Sequence, residues 1–191
     1  TKERKKHAPP PYITSKLQQA SRFPVKRTMM VAQQLYEGIE LPGDGSVGLI
    51  TYMRTDSTNV AAYALQEASR YIKQKFGTEY APKAYRLYTK KIKAAQEAHE
   101  AIRPADLSIK PEGVKAYLSP QQFRLYDLIW KRTLATQMAE ARIALTTVKI
   151  QAGANEEFLF EAKGQRILFP GFLKVYTEGS DDPEAALNDK D

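Results

Sequence analysis

The sequence contains no cysteine, and only two of its 191 residues are histidine. Without cysteine the chain can form neither disulfide bonds nor thiolate metal sites, a composition that fits a reducing cytoplasm. Two histidines leave little material for a histidine-based metal centre. The sequence also lacks an apolar run approaching the roughly 20 residues that a membrane span requires, and no signal segment opens it. These absences predict a cytoplasmic protein with no membrane partner and no metal site of its own.

Acidic residues are scarce outside the C-terminal end, and the net charge is +7. Residues 1–36 hold eight lysines and arginines against the single acid Glu3, whereas residues 178–191 hold six acids against Lys190. A basic body of this kind suits a polyanionic partner, with nucleic acid as the first candidate. A solvated basic face would give the same composition, so charge alone leaves both alternatives open.

The periodicity of the apolar residues predicts an α+β fold, in which a mainly helical domain is followed by a small antiparallel β segment. Helices are expected from about residue 15 to a break at 23–24, over 26–38, after 59 and behind the capping box at 119–122. Strands are expected over 47–52, 143–150 and 158–162, with further short strands up to 176.

Four parts of the chain follow from this pattern. Residues 1–14 form a basic arm and an extended lead-in, because consecutive prolines stiffen the chain there. Residues 15–140 form the helical domain, 141–177 the β segment, and 178–191 an acidic linker or tail. The β segment is too small to make a sheet alone, so we expect its other strands elsewhere in a longer parent chain.

Three glycines, Gly43, Gly45 and Gly48, form the G-x-G-x-x-G pattern of dinucleotide-binding proteins. In those proteins a strand precedes the pattern and a helix follows it, so that the helix N-terminus meets the pyrophosphate. Here a predicted helix precedes the pattern and a predicted strand follows. Because the order is reversed, we interpret the three glycines as part of a turn.

A tyrosine and an arginine lie two residues apart where the strand over 47–52 gives way to a polar turn. In an extended backbone Tyr52 and Arg54 point to the same side. A tyrosine hydroxyl is a poor nucleophile at neutral pH, but a neighbouring guanidinium can bind a phosphodiester and offset the charge that develops during attack. Asp56 could orient Arg54 through an ion pair. A core tyrosine beside a surface ion pair is the more common interpretation of this spacing.

A histidine and an arginine lie four residues apart in the segment QEAHEAIRP, which ends at Pro104. On a helical turn His99 and Arg103 would share a face and could bind phosphate together. A structural histidine with Arg103 exposed at a helix end is the more common explanation on spacing alone.

The longer segments that contain these residues resemble a known family. Gly48 to Thr58, GLITYMRTDST, is similar to the active-site segment of bacterial type IA DNA topoisomerases, and QEAHEAIRP is similar to a second signature of that family. Residues 15–19, 26–38 and 164–176 resemble further family segments and follow in family order. The resemblance extends from about residue 8 to 177.

The resemblance implies a function and a set of site residues. Tyr52 would be the nucleophile that forms a phosphotyrosine bond on the 5′ side of a break in single-stranded DNA, and Arg54 would contact the scissile phosphate. His99 and Arg103 would be DNA contacts, and Asp56 would be a supporting residue. The implied activity is an isomerase reaction, the relaxation of supercoils by cleavage and religation without ATP.

The sequence also departs from the family pattern. The family's Toprim domain, with its acidic metal ligands and general-acid glutamate, would precede this segment, so Mg²⁺ is expected only in the full-length enzyme. Asp189-Lys190-Asp191 has D-x-D spacing but is given no metal role. The segment around Arg22-Phe23-Pro24 is shorter than the family's. With residues 15–140 as the tyrosine-bearing domain and 141–177 as part of the β-rich arch, we expect the isolated chain to be an inactive monomer.

Two other protein classes fit some of these observations. A basic module that binds single-stranded DNA without chemistry is the main alternative. A tyrosine recombinase also forms phosphotyrosine links, but its tyrosine is expected near the chain end, whereas Tyr52 is followed by long structure. We therefore interpret the chain as part of a type IA DNA topoisomerase, whose partners are single-stranded DNA and the Toprim and remaining domains of the parent chain.

Overall fold

The computed structural model describes residues 1–88, 99–153 and 158–177, which adopt the predicted α+β fold. The helices in these ranges are α1 (Thr14–Ala20), α2 (Val25–Glu37), α3 (Ala62–Phe76), α4 (Pro111–Val114) and α5 (Pro120–Thr136). The strands are β1 (Lys2–Lys6), β2 (Ile39–Leu41), β3 (Gly45–Val47), β4 (Ala141–Ala152) and β5 (Phe158–Phe169). None of the described helices is long and apolar enough to cross a membrane. The predicted acidic tail at 178–191 and the first three residues of QEAHEAIRP lie outside the described residues.

The helical core forms because α2, α3 and α5 each carry one apolar face. Apolar residues recur three or four positions apart along each helix, and α2 and α3 both pack against α5. The buried residues on these faces include Val31, Ala32 and Leu35 of α2, Ala64, Leu65, Ala68 and Ile72 of α3, and Leu125, Ile129 and Leu134 of α5.

The start of α5 is the capping box that the sequence predicts. The Gln122 N–H donates to the Ser119 hydroxyl, and the Ser119 N–H donates to the Gln122 side-chain oxygen at 2.8 Å. Pro120 fits the first helical position because no intrahelical hydrogen bond is required there. The Gln122 side chain also donates to the Gln34 side chain at 3.1 Å, which ties the start of α5 to α2.

The strands β1, β4 and β5 form an antiparallel sheet in that order. Lys2 pairs with Leu145 and Lys6 with Ala141, so a strand from the start of the chain joins a hairpin from near its end. The strands β4 and β5 are longer than predicted because they pair along their whole length.

Of the further strand structure predicted up to residue 176, residues 163–169 belong to β5, but no strand forms over 170–176. After Pro170 the chain enters a 3₁₀ helix, Gly171–Lys174, and Gly171 has a φ of 50°. A Cβ on Gly171 would lie 2.4 Å from the Ala139 carbonyl oxygen, so only glycine permits this close backbone approach. The approach ends the sheet and returns the chain to the helical core, where Phe172 is buried.

One buried arginine joins both crossings between the helical core and the sheet. The Arg132 side chain donates to the Pro10 carbonyl and to the Tyr176 hydroxyl, both at 2.7 Å. Its guanidinium carbon lies 4.5 Å from the Tyr12 ring centroid and 5.1 Å from that of Tyr176. The segment between β1 and α1 and the segment after β5 are therefore both held by Arg132 of α5.

Candidate active site

The three glycines of the G-x-G-x-x-G pattern do not form a nucleotide-binding loop. Gly43 and Gly45 have positive φ and turn the chain between β2 and β3, which pair as a short hairpin. A strand on each side of the turn leaves no helix N-terminus for a pyrophosphate, as the sequence order indicates. The strand predicted over 47–52 is wrong beyond Val47, because β3 pairs only with the short β2 and Ile50 makes an isolated bridge with Pro104.

Two short segments, residues 49–51 and 101–105, lie side by side and bring the two motifs together. The Thr51 N–H donates to the Arg103 carbonyl at 2.9 Å. The Thr51 hydroxyl donates to the Ala101 carbonyl at 2.8 Å. Because these bonds fix how the segments are aligned, the residues immediately beyond them become neighbours.

The helical turn predicted for the second motif is wrong. Residues 99–104 are not helical, and the Ile102 N–H donates to the Tyr12 carbonyl at 2.8 Å instead of to a helical partner. Backbone bonds to distant segments thus override the local helical tendency. As a result His99 and Arg103 do not share a helical face.

The other side of the tyrosine segment is held by the first residue of α1. The Thr14 hydroxyl donates to the Met53 carbonyl at 2.8 Å, and the Thr14 N–H donates to the Thr55 carbonyl at 2.9 Å. Met53 is buried, whereas Tyr52 and Arg54 on either side of it are exposed. Tyr52 and Arg54 are therefore both accessible to a ligand.

A cavity of about 210 Å³ opens beside the candidate nucleophile. It is lined by Tyr52 and His99 from the two motifs, together with Thr51, Thr55 and Glu100. The tyrosine ring is 46% exposed, so a ligand in the cavity could reach its hydroxyl. The structure thus places the predicted residues Tyr52 and His99 at one site.

Arg54 and Asp56 lie next to this cavity without lining it. Both side chains are exposed, and both residues are sequence neighbours of Thr55, which lines the cavity. A ligand longer than the cavity could therefore contact Arg54 after passing the tyrosine.

Arg103 differs from the expectation that it contacts DNA directly, because its side chain is only 3% exposed. It donates to one Glu100 carboxylate oxygen from Nε at 3.1 Å and from Nη2 at 2.6 Å. It also donates to the Pro104 carbonyl at 2.8 Å and to the Tyr63 hydroxyl. These donors are satisfied inside the protein, so in this arrangement Arg103 stabilises the site through internal hydrogen bonds.

Sequence reasoning missed Glu100, which joins three parts of the site. One carboxylate oxygen accepts from the Ala61 N–H at 2.7 Å, immediately before α3, and the other binds Arg103. The same side chain lines the cavity with Tyr52. Its position three residues before Arg103 was the available signal, since an acid at that spacing can pair with an arginine.

Sequence reasoning also missed Tyr36, which lies on the last turn of α2. Its ring centroid is 5.3 Å from that of Tyr52, and the two ring planes meet at 67°. No pattern in the sequence relates these two tyrosines, because their contact depends on how α2 meets the following segment.

The described site offers a phenol, an imidazole and an exposed guanidinium. Among the described residues no group of three or more metal-ligating side chains could hold a metal ion. The set suits contact with a phosphodiester and attack on it.

Comparison with known proteins identifies the family. The family model described as DNA topoisomerase matches residues 1–190. The chain belongs to the DNA topoisomerase family. DNA topoisomerase 1 of Xylella fastidiosa is 49% identical over 193 residues, which cover 99% of this chain and 23% of the relative. DNA topoisomerase 1 of Helicobacter pylori is 44% identical over 190 residues, which cover 97% of this chain and 25% of the relative.

A solved structure agrees with this family assignment. Full-length topoisomerase I from Thermotoga maritima is similar with a TM-score of 0.79 and 38% identity, over 95% of this chain and 30% of that chain. The resemblance to type IA topoisomerases is confirmed at the level of the family. The chain spans about a quarter of the length of the curated relatives it matches.

Proposed function

We propose that this chain is the tyrosine-bearing part of an enzyme that cleaves and rejoins single-stranded DNA to relax supercoils. The Tyr52 hydroxyl oxygen attacks a backbone phosphorus, and the bond from that phosphorus to the 3′ oxygen breaks. The 5′ phosphate is then attached to Tyr52, and the phenol proton passes to the leaving oxygen, which becomes a 3′ hydroxyl. Because one phosphodiester replaces another, the reverse reaction reseals the strand without ATP.

Neighbouring residues are proposed to bind the DNA around Tyr52. Arg54 contacts the scissile phosphate, since a guanidinium can offset the charge that grows during attack. His99, which lines the same cavity, contacts a phosphate from the other motif. Asp56 is a supporting residue. Arg103 is a positioning residue rather than a direct contact, because its guanidinium is buried.

The remaining catalytic groups are proposed to lie elsewhere in a parent chain. A Toprim domain would hold Mg²⁺ and a general acid, and the metal would offset phosphate charge when bound. The described residues present no group that fits such a metal, so none of the roles above passes through it. We also propose that the parent protein acts in the cytoplasm as a monomer.

The shared cavity of Tyr52 and His99 is the observation that carries this proposal, because one phosphodiester could contact both. The test is Tyr52→Phe in the full-length protein, with covalent DNA–protein complexes trapped and separated on denaturing gels. We expect the complex to disappear while single-stranded DNA binding persists, since only one oxygen is removed. A covalent complex formed by Tyr52→Phe would refute the proposed function.

A second candidate is a single-stranded DNA-binding module without chemistry. The net charge of +7, together with the lack of a metal-holding group in the described residues, favours it for the isolated chain. The same gel assay separates the two candidates, since a pure binding module forms no covalent complex even in the full-length protein.

A further inference from the structure

Tyr36 is a half-exposed aromatic residue beside the proposed nucleophile, and the function proposed above gives it no role. We propose that Tyr36 is a positioning residue for the cleavage reaction: its ring holds the Tyr52 ring in the orientation that directs the phenol oxygen into the cavity shared with His99. This inference rests on the proposed function of Tyr52 as nucleophile.

The backbones that carry the two rings are joined directly. The Leu49 N–H donates to the Leu35 carbonyl at 2.7 Å, which links the last turn of α2 to the segment leading to Tyr52. Gly48 lies so close to the Tyr36 carbonyl that a Cβ there would be 2.7 Å from its oxygen. Leu35 and Leu49 are both buried in the core. The backbone of Tyr36 therefore cannot move away from the segment at Gly48 and Leu49 without disturbing core contacts.

The ring contact itself has the geometry of an attractive edge-to-face pair. A centroid separation of 5.3 Å and an interplanar angle of 67° lie within the favoured range for such pairs. Tyr52 is 46% exposed and Tyr36 is 43% exposed, so core burial does not lock either ring. The contact supplies a restraint on Tyr52 rotation, and restraining a nucleophile in a reactive orientation raises the rate of attack.

Tyr36 is suited to positioning because it touches the nucleophile without occupying the substrate space. The cavity is lined by Tyr52, His99 and Thr55, and Tyr36 is not part of its lining. A phosphodiester in the cavity can therefore meet the Tyr52 hydroxyl while Tyr36 stays against the ring. A purely structural role is a poor alternative, because a half-exposed side chain contributes little to the core.

The test compares Tyr36→Leu with Tyr36→Phe in the full-length protein. Tyr117→Leu is the matched control, because Tyr117 is 47% exposed and lies outside α2, in the short 3₁₀ helix Lys115–Tyr117. Two quantities are measured: the single-turnover rate of covalent complex formation and the dissociation constant for single-stranded DNA. Tyr36→Leu should slow the rate about tenfold, equivalent to about 1.4 kcal/mol, with unchanged affinity. Tyr36→Phe and Tyr117→Leu should keep the original rate within about twofold, because both keep the ring contact.

Three results would overturn the proposal. The first is an unchanged rate in Tyr36→Leu. The second is an equal loss of rate in Tyr36→Phe, which would assign the effect to the hydroxyl. The third is a loss of DNA affinity in Tyr36→Leu with a normal rate. Thermal unfolding identifies a misfolded variant, and Tyr36→Met then replaces Tyr36→Leu under the same criteria. Tyr52→Phe is measured alongside. If Tyr52→Phe still forms the covalent complex, the proposed function fails. If Tyr52→Phe forms no complex but Tyr36→Leu reacts at the normal rate, only this inference fails.

Discussion

Two arginines of the tyrosine and histidine motifs have opposite surroundings. Arg54 is exposed beside Tyr52, whereas Arg103 is buried and paired with Glu100. An exposed guanidinium is free to bind phosphate but adds little to stability. Removing one partner of a buried ion pair is costly, because the other charge is left uncompensated. The two arginines should therefore affect different measurements.

Arg103→Met should lower the free energy of unfolding by about 2–3 kcal/mol, less than for a fully enclosed pair because Glu100 is 28% exposed. Arg54→Met should change it by less than about 0.5 kcal/mol. For single-stranded DNA binding the expected effects are reversed. Only Arg54→Met should reduce the slope of log K against log salt concentration, by about one unit. Urea unfolding and titrations at several salt concentrations measure the two effects. A flatter salt plot for Arg103→Met with unchanged stability would restore the direct DNA contact.

The carboxyl groups of Glu67 and Asp106 interact, and their pKa values are shifted in opposite directions. Burial, followed by the negative charge of Asp106, raises the pKa of Glu67 above its usual 4.5. Hydrogen bonding from Ser108 lowers the pKa of Asp106. A raised carboxyl pKa means that the folded state holds the proton more tightly, so ionisation of Glu67 weakens the fold as pH rises above that usual value. The lowered pKa of Asp106 instead stabilises the fold above its usual 3.8, and this is lost as pH falls through the folded value.

Glu67→Gln should raise the melting temperature at pH 7 by about one or two degrees, because the amide cannot ionise beside Asp106. At about pH 3.5 the effect should vanish, since the unsubstituted carboxyl is then protonated in both the folded and unfolded states. Calorimetry at the two pH values measures the difference. Equal shifts at both would show that charge at Glu67 is not responsible.

The end of α2 comes close to the tyrosine segment at Gly48, where the approach is made by backbone atoms. A methyl group on Gly48 would lie 2.7 Å from the Tyr36 carbonyl oxygen, which is closer than real Cβ contacts come. The helix and the segment would have to separate to admit it. Gly113 on α4 offers a matched comparison, because a Cβ there meets nothing within 4 Å.

Gly48→Ala should lower the free energy of unfolding by about 1–3 kcal/mol through this steric conflict. Gly113→Ala should leave it unchanged or raise it by up to about 1 kcal/mol, since alanine restricts the unfolded chain. Denaturant unfolding of both variants gives the comparison. A Gly48→Ala protein as stable as Gly113→Ala would contradict the close backbone approach on which the Tyr36–Tyr52 contact depends.

At the scale of the whole molecule, the proposed function combines a basic body with further catalytic groups elsewhere in a parent chain. Its net charge is +7, and the described residues hold no metal-binding group. It spans about a quarter of the relatives it matches. On the proposed function, the basic chain would attract DNA through phosphate charge, and other groups that the reaction requires would lie elsewhere in the parent chain.

The 191-residue chain alone should bind single-stranded DNA with an affinity that falls steeply as salt rises. It should not relax supercoiled plasmid with or without Mg²⁺, because proton transfer and metal assistance each contribute orders of magnitude in rate. A plasmid relaxation gel and a salt titration measure these outcomes, with the Tyr52→Phe chain as control. Relaxation by the chain alone, abolished by Tyr52→Phe, would show that the catalytic apparatus lies within it.

Local sequence determined those features that depend on near neighbours. The capping box at Ser119 was predictable because its bonds span three residues. Family membership was also readable, since the motif around Tyr52 is long and specific. In each case the decisive residues lie within a short stretch of sequence.

Only the tertiary structure determined how these residues contact distant segments of the chain. The turn from His99 to Arg103 is not helical because its backbone bonds with segments around Tyr12 and Thr51. The Arg103 side chain in this turn is buried and bonds with Glu100, Pro104 and Tyr63. The contact of Tyr36 with Tyr52 likewise exists because α2 and the following segment meet through backbone. The sequence by itself determined which chemical groups the protein carries, whereas the packing of remote segments determined which of them face a ligand, because burial and long-range backbone bonds override local preference.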